Sequence, residues 1–204
     1  MDKYDVKKTL RKLYSAGPDF TLVEVPGQNF IAVDGQGNPN TSPDYAAAVE
    51  ALYSVAYTLK FSAKRTLGHD AVVGPLEGLW RAGNPADFVQ GNKDSWEWTM
   101  LISQPEWTTP DLLAAAAAEV LAKKGLESVD RVRWLSLAEG LSVQILHTGP
   151  YDDEAPVLAR LHNDYMPGNS LEFNGDHHEI YLSDPRRTAP EKLKTILRQP
   201  VRRR

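Results

Sequence analysis

The stretch "HHEIYLSDP", residues 177–185, carries the most chemically suggestive spacing in the chain. Read with the two-residue period of a strand, Ile180 and Leu182 point one way, while His177, Glu179 and Tyr181 point the other. A carboxylate between an imidazole and a phenol suits either the wet outer face of an antiparallel sheet or the wall of a pocket. In a pocket, Glu179 could face a cationic ligand or take a proton from water. Tyr181 could then donate a hydrogen bond to a developing oxyanion; its alternative use is cross-strand packing.

Other residues could complete such a site. In "PLEGLW", Glu77 lies between Leu76 and Gly78, as a second pocket carboxylate or an edge-strand acid, and Trp80 is a stacking wall or core. In "SWEWTM", Trp96, Trp98 and Met100 share one face and Glu97, Thr99 and Leu101 the other; Trp96 reads as core, and Trp98 as either core or a planar-ligand wall. Tyr53 and Tyr57 form an i, i+4 stripe, from which Tyr57 is the candidate to reach a groove. Phe173, just before the strand of Glu179, is a candidate pocket cap. Tyr151 follows Gly149-Pro150 at a turn and reads as structural.

Several chemistries are set aside. The chain contains no cysteine, so thiolate nucleophiles, disulfides and cysteine-bound zinc are excluded. His177 and His178 are consecutive in a strand and point oppositely, so they do not chelate one ion together. Neither "HHE" nor "LHND" has the helical i, i+4 histidine spacing of a zinc protease. "DGQGNPN" carries Asn40 where a dinucleotide fingerprint needs its third glycine, and neither a Walker loop nor a G-x-S-x-G elbow is present. We therefore expect no cofactor and no metal. Any hydrolysis would use carboxylate-activated water on a substrate that is already electrophilic.

The elements that must position these residues follow from punctuation and periodicity. A first helix is expected over Val6–Ala16, within residues 4–16, stopped by Gly17-Pro18. "FTLVEVPGQNFIAVDG" reads as two strands with a hairpin-like turn at Pro26-Gly27. Ser42-Pro43 opens a long helix that stops near Gly68, and "AVVGPLEGLWRAG" and "SWEWTMLISQP" are strands around a Gly/Asn/Asp-rich connection. "TTPDLLAAAAAEVLAKKG" is a helix with a threonine cap, a first-turn proline and a terminal glycine. Strands "VRWLSLAEG" and "LSVQILHTG", a helix over Asp152–Tyr165, the strand of Glu179 and a short strand near "KTILRQPV" complete the chain.

The chain of 204 residues has a formal net charge of -4, which argues against general affinity for phosphate backbones. The basic tail "RQPVRRR" reads as a frayed, solvated end. With no leader-like start and no apolar run long enough to span a bilayer, the expectation is a soluble cytoplasmic protein that binds neither nucleic acid nor membrane.

Two segments match at equal offsets: "ISQPEWTTPDLL" and "LSDPRRTAPEKL" share Ser103/Ser183, Pro105/Pro185, Thr108/Thr188, Pro110/Pro190, Asp111/Glu191 and Leu113/Leu193. With the parallel order of elements, this points to a duplicated unit, about 20–125 and about 130–204, within a single domain over 1–204. Each three-stranded sheet would cover one face with its helix, and the two remaining faces would meet at a shared groove. The same alignment pairs Thr99 with Glu179 and puts the tryptophans on the helix side.

"FIAVDGQGNPNTSPDYAAAVEALYSVAYTLKF", "VGPLEGLW", "LISQPEW" and "HHEIYLSDPRRTAPEKLKTILRQPV" resemble the GyrI-like small-molecule-binding family, and its stand-alone members of about 200 residues most closely. The resemblance implies an α+β fold of duplicated β-α-β-β repeats, with antiparallel sheets flanking a central ligand groove. It implies aromatic walls and a groove glutamate that take up bulky hydrophobic, planar or cationic compounds, and the family's groove glutamate matches Glu179. Some relatives are effector domains of multidrug-responsive regulators; here nothing before residue 20 is long enough for a DNA-binding domain. Others are hydrolases that detoxify strained, cyclopropane-containing alkylators, which would make Glu179 and Tyr181 catalytic in a cofactor-independent enzyme. Tyr57, Glu77, Trp80, Trp98, Phe173 and His177 are the further ligand-binding candidates.

Overall fold

The computed structural model describes residues 3–82 and 92–204. In chain order the elements are α1 (Val6–Thr9), β1 (Thr21–Val25), β2 (Gln28–Gln36), α2 (Pro43–Thr66), β3 (Glu77–Ala82), β4 (Trp96–Gln104), α3 (Pro110–Lys124), β5 (Arg133–Leu137), β6 (Gly140–Thr148), α4 (Ala155–Arg160), α5 (Met166–Gly168), β7 (Leu171–Phe173), β8 (His177–Tyr181) and β9 (Lys194–Arg203). A π turn over Leu161–Tyr165 joins α4 to α5. Much of the Gly/Asn/Asp-rich connection expected after β3 falls at 83–91, outside the described residues.

The two long helices start and stop where their sequence directs. The Ser42 hydroxyl accepts the amide of Tyr45 at 3.4 Å, and the Thr109 hydroxyl that of Leu112 at 3.3 Å, each followed by proline in the first turn. Gly125 closes α3 at φ 63°, a left-handed position that glycine adopts without steric cost. The first helix is shorter than expected. Its backbone leaves the helical region at Leu10, φ -109° and ψ 46°, and further on Leu13 O accepts from Arg198 at 2.6 Å and Lys12 O from Gln144 at 2.9 Å.

The described strands form a mixed α+β architecture around one large antiparallel sheet, ordered β1-β6-β9-β8-β3-β4-β2-β5, with β7 on β9. The β3–β8 ladder joins the two triplets β2-β4-β3 and β6-β9-β8 directly. The hairpin expected at Pro26-Gly27 does not form: β1 pairs with β6, and β2 with β4 and β5. Leu22 faces Val143, and Phe30 faces Leu135, in one unbroken register. The turn is therefore a bend in a long two-stranded ribbon, and so is Ala138-Glu139 opposite it. Only two residues separate β1 from β2, so the bend brings both ends of the strand path to one corner.

Register decides which residues share a face. Glu179 lies opposite Gly78, His177 opposite Trp80, and Gly78 opposite Met100. Glu179, His177, Trp80, Trp98 and Met100 therefore face the same side. Here α2 and α3 cover Ile31, Val33, Trp98, Met100 and Ile102, while Leu161, just after α4, and Met166, at the start of α5, pack on Val143 and Val201. The site strand lies in the seam between those helical layers, not on a helix-free face as the sequence suggested. Thr99 is on the opposite side from Glu179. There, Val6, Leu13 and Tyr14 close over Val25, Ile180 and Ile196.

The C-terminal expectation also changes. Arg198 to Val201 are buried within β9, which pairs with β8 up to Arg198, with β6 up to Pro200 and with β7 from Val201, and only Arg202 to Arg204 of this stretch are exposed. The basic tail is thus mostly a central strand rather than a frayed end. No helix among the described residues is long and apolar enough to cross a membrane.

Candidate functional site

Glu179 is held within the seam, with 13% of its side chain exposed. The Tyr181 hydroxyl donates to Glu179 Oε2 at 2.7 Å and accepts from the Trp80 indole N–H at 3.0 Å. This chain depends on a missing side chain. A Cβ on Gly78 would lie 2.8 Å from Trp80 Nε1 and 3.2 Å from the Tyr181 oxygen. Burial first, then the charge of Glu179, pushes the Tyr181 phenol well above its ordinary range, so it remains a proton donor.

Rings surround this group. Tyr45, from the first turn of α2, stacks on Trp80 at 6.4 Å and meets Trp98 edge-on at 5.3 Å. Trp96 stands edge-on to Trp80 at 5.6 Å, and Tyr151 edge-on to Tyr181 at 5.5 Å. Burial, then Glu179, raises the Tyr45 phenol; burial, Glu154 and Glu179 push Tyr151 up to about 12.

A second carboxylate enters from the start of α4. Glu154 is buried, and its Oε1 makes no hydrogen bond among the described residues. Burial, followed by the charge of Glu179, raises it to about 10, with Lys93 opposing only weakly. Burial beside the charge of Glu179 thus favours the protonated form of Glu154. Lys93, whose ammonium lies 5.8 Å from the Trp96 ring, is paired with Asp152 at the rim. The seam thus holds two acidic side chains and little positive charge.

Directly behind Glu179, on the other face of β8, the charges are balanced. His178 contacts Glu139 through Nδ1 at 2.9 Å and Glu77 through Nε2 at 3.0 Å. Arg198 binds the other Glu139 oxygen at 3.0 Å, and the Tyr14 hydroxyl donates to Glu77 at 2.8 Å. Burial alone would lower His178, but Glu139 and Glu77 raise it to about 9. Burial would likewise raise Glu139, yet His178 and Arg198 hold it at about 2.

The structure brings together Glu179, Tyr181, Trp80 and His177 of the residues singled out from the sequence. Glu77 is fully buried on the opposite face, because its neighbour Gly78 is the residue aligned with Glu179. Trp98 is core: its ring lies over Gly35, where a Cβ would meet it at 2.1 Å. Trp96, expected as core, is half-buried against the core cluster and edge-on to Trp80. Tyr57 is 48% exposed and stacks on Phe61 along the outside of α2, and Phe173 is 53% exposed against His162. Glu154, Tyr45 and Tyr151 are the residues that sequence reasoning missed as site members. The first two sit at helix starts, where acids and polar rings are ordinary. Among the described residues, no group of three or more metal-ligating side chains is placed to hold an ion.

A large antiparallel sheet with several helices packed on it, and rings gathered around Glu179, defines the class: a mixed α+β fold. The chain belongs to the GyrI-like small molecule binding domain family, whose model matches residues 18–202. It is similar to an uncharacterized conserved protein from Listeria innocua, at 39% identity and TM-score 0.91, over 98% of this chain and 100% of that one. A hydrolase from Listeria innocua is similar at 38% identity and TM-score 0.86, with the same coverage. The C-terminal domain of EcmrR shares the fold at 11% identity and TM-score 0.58, over 91% of this chain and 98% of that one. No curated protein matches the chain.

Proposed function

We propose that the seam binds bulky hydrophobic, planar or cationic small molecules and, when the bound molecule is a strained electrophile such as a cyclopropane-containing alkylator, adds water to it. The observation that carries this reading is the pair of carboxyl groups of Glu154, buried, and Glu179, mostly buried, enclosed by Trp80, Tyr45, Tyr151 and Tyr181. Ring faces favour planar and cationic ligands, and the carboxylate charge favours cations further.

The hydrolytic reading is supported by the same pair and by the similar Listeria hydrolase. Water attacks the strained carbon, and Glu179 accepts its proton. The ring bond breaks, and Glu154 gives its proton to the departing atom. Return of the proton from Glu179 to Glu154 restores the pair, and the net reaction is addition of one water. General acid–base assistance of this kind is worth roughly 10²–10⁴-fold. In this reading Tyr181 orients Glu179, to which its proton is already committed. A protein of this type would serve detoxification in the cytoplasm.

We also read the chain as one domain of two duplicated β-α-β-β units. The matched orders β2-β4-β3 and β6-β9-β8, each with a helix between its first two strands, support this.

Titration with rhodamine 6G, followed by tryptophan emission, tests binding. Quenching at micromolar dye, weakened in Glu179→Gln, is expected; no quenching, or identical quenching in the variant, refutes it. Incubation with a cyclopropane-containing alkylator tests turnover: a water adduct should form faster than in buffer, and slow in Glu154→Gln.

A further inference from the structure

One end of the seam holds polar atoms that the aromatic walls do not explain. His177 stands two residues before Glu179 on the same face, with 8% of its side chain exposed and its Nε2 3.4 Å from Glu179 Oε1. Neither of its ring nitrogens makes a hydrogen bond among the described residues, and the same is true of His162 Nε2. His162 comes from the π turn that interrupts the helix after α4, a distortion frequent at functional sites. Its ring meets Phe173 edge-on at 5.0 Å and lies close enough to His177 for the two to influence each other's charge. Burial, with His177 beside it, lowers His162 to about 4 and keeps it neutral.

Buried nitrogens without partners are uncommon in folded proteins. A neutral imidazole carries one N–H and one lone pair, whichever tautomer it adopts. A wholly apolar ligand edge would leave both kinds of group unmet, whereas an edge that donates and accepts would satisfy them. We propose that His177 and His162 form a polar subsite at this end of the aromatic seam, which takes a ligand edge that both donates and accepts a hydrogen bond, such as a lactam or secondary amide. The inference rests on the seam being the ligand site and assigns the chemistry of one side of its ligand.

Two probes of the same three-ring outline test it: phenanthrene and its lactam analogue phenanthridinone. The lactam should bind on the order of ten- to a hundredfold more tightly, as two added hydrogen bonds allow, and the preference should collapse to near parity in His177→Leu. Imidazole ¹⁵N signals of the unaltered protein supply a readout that needs no variant: those of His177 and His162 should move with phenanthridinone and not with phenanthrene. Equal affinities, or imidazole signals that ignore the lactam, overturn the subsite and leave the seam reading standing. Binding of neither probe overturns both together.

Discussion

Residues 178 and 179 are neighbours on one strand, yet the two faces of that strand treat buried charge in opposite ways. Behind β8, Glu77 and Glu139 are matched by His178 and Arg198, and Glu139 is pulled down to about 2. In front, Glu154 and Glu179 face rings, the His177 imidazole 3.4 Å from Glu179 and a lysine that opposes only weakly, and Glu154 is driven up to about 10. The same side chain, glutamate, is held toward its anion on one face and pushed toward its protonated form on the other. Charge balance marks the first as scaffold. A carboxyl pushed toward its protonated form fits the second to the acid role proposed above.

Breaking the scaffold side should have the largest effect. Arg198→Met leaves Glu139 with one partner, and removal of one member of a buried ion cluster costs about 3–5 kcal/mol. Chemical denaturation should show this loss, and the site is affected only as folding fails. On the seam side, Gly78→Ala forces Trp80 and Tyr181 apart, at a cost of about 1–3 kcal/mol for overpacking. Its signature is different: tryptophan emission should shift and dye binding should weaken even where the protein stays folded.

The pH dependence sharpens the contrast further. Glu154 and His178 both have raised values when folded, so what each contributes to stability is complete below its unfolded value and fades as pH rises. For His178 the loss runs from about pH 6.5 to about 9; for Glu154, from about pH 4.5 to about 10. Glu139 is depressed, and its contribution is present above about pH 4.5 and lost as pH falls toward about 2. Glu154→Gln should therefore flatten the alkaline limb of the stability profile, by up to about 1.4 kcal/mol per pH unit, and leave the acid limb unchanged. The smallest effect belongs to the outer surface: Tyr57→Ala should change stability by no more than about 0.5 kcal/mol and leave dye titrations unaltered.

Period two was enough to place Glu179 and Tyr181 on one face, and the caps at Ser42 and Thr109 fixed the long helices. It was not enough for Glu77. A strand's own alternation says that Glu77 and Trp80 point opposite ways, but only the pairing of Gly78 with Glu179 says which of them joins the seam. The same register puts Thr99 behind the sheet. The bend at Pro26-Gly27 looked like a hairpin because turn residues report a change of direction and not a partner. Glu154 lies 25 positions before Glu179, and in "YDDEAP" nothing distinguishes it from the two acids that precede it. Its importance comes from the burial that the fold imposes.

Infrared difference spectra of the unaltered protein and Glu154→Gln, recorded across the pH range, test the central claim most directly. A protonated carboxyl band should be present at neutral pH, absent from the variant, and lost from the unaltered protein only in strongly alkaline solution. Two ionised carboxylates at pH 7, with no band that the variant removes, would contradict the account.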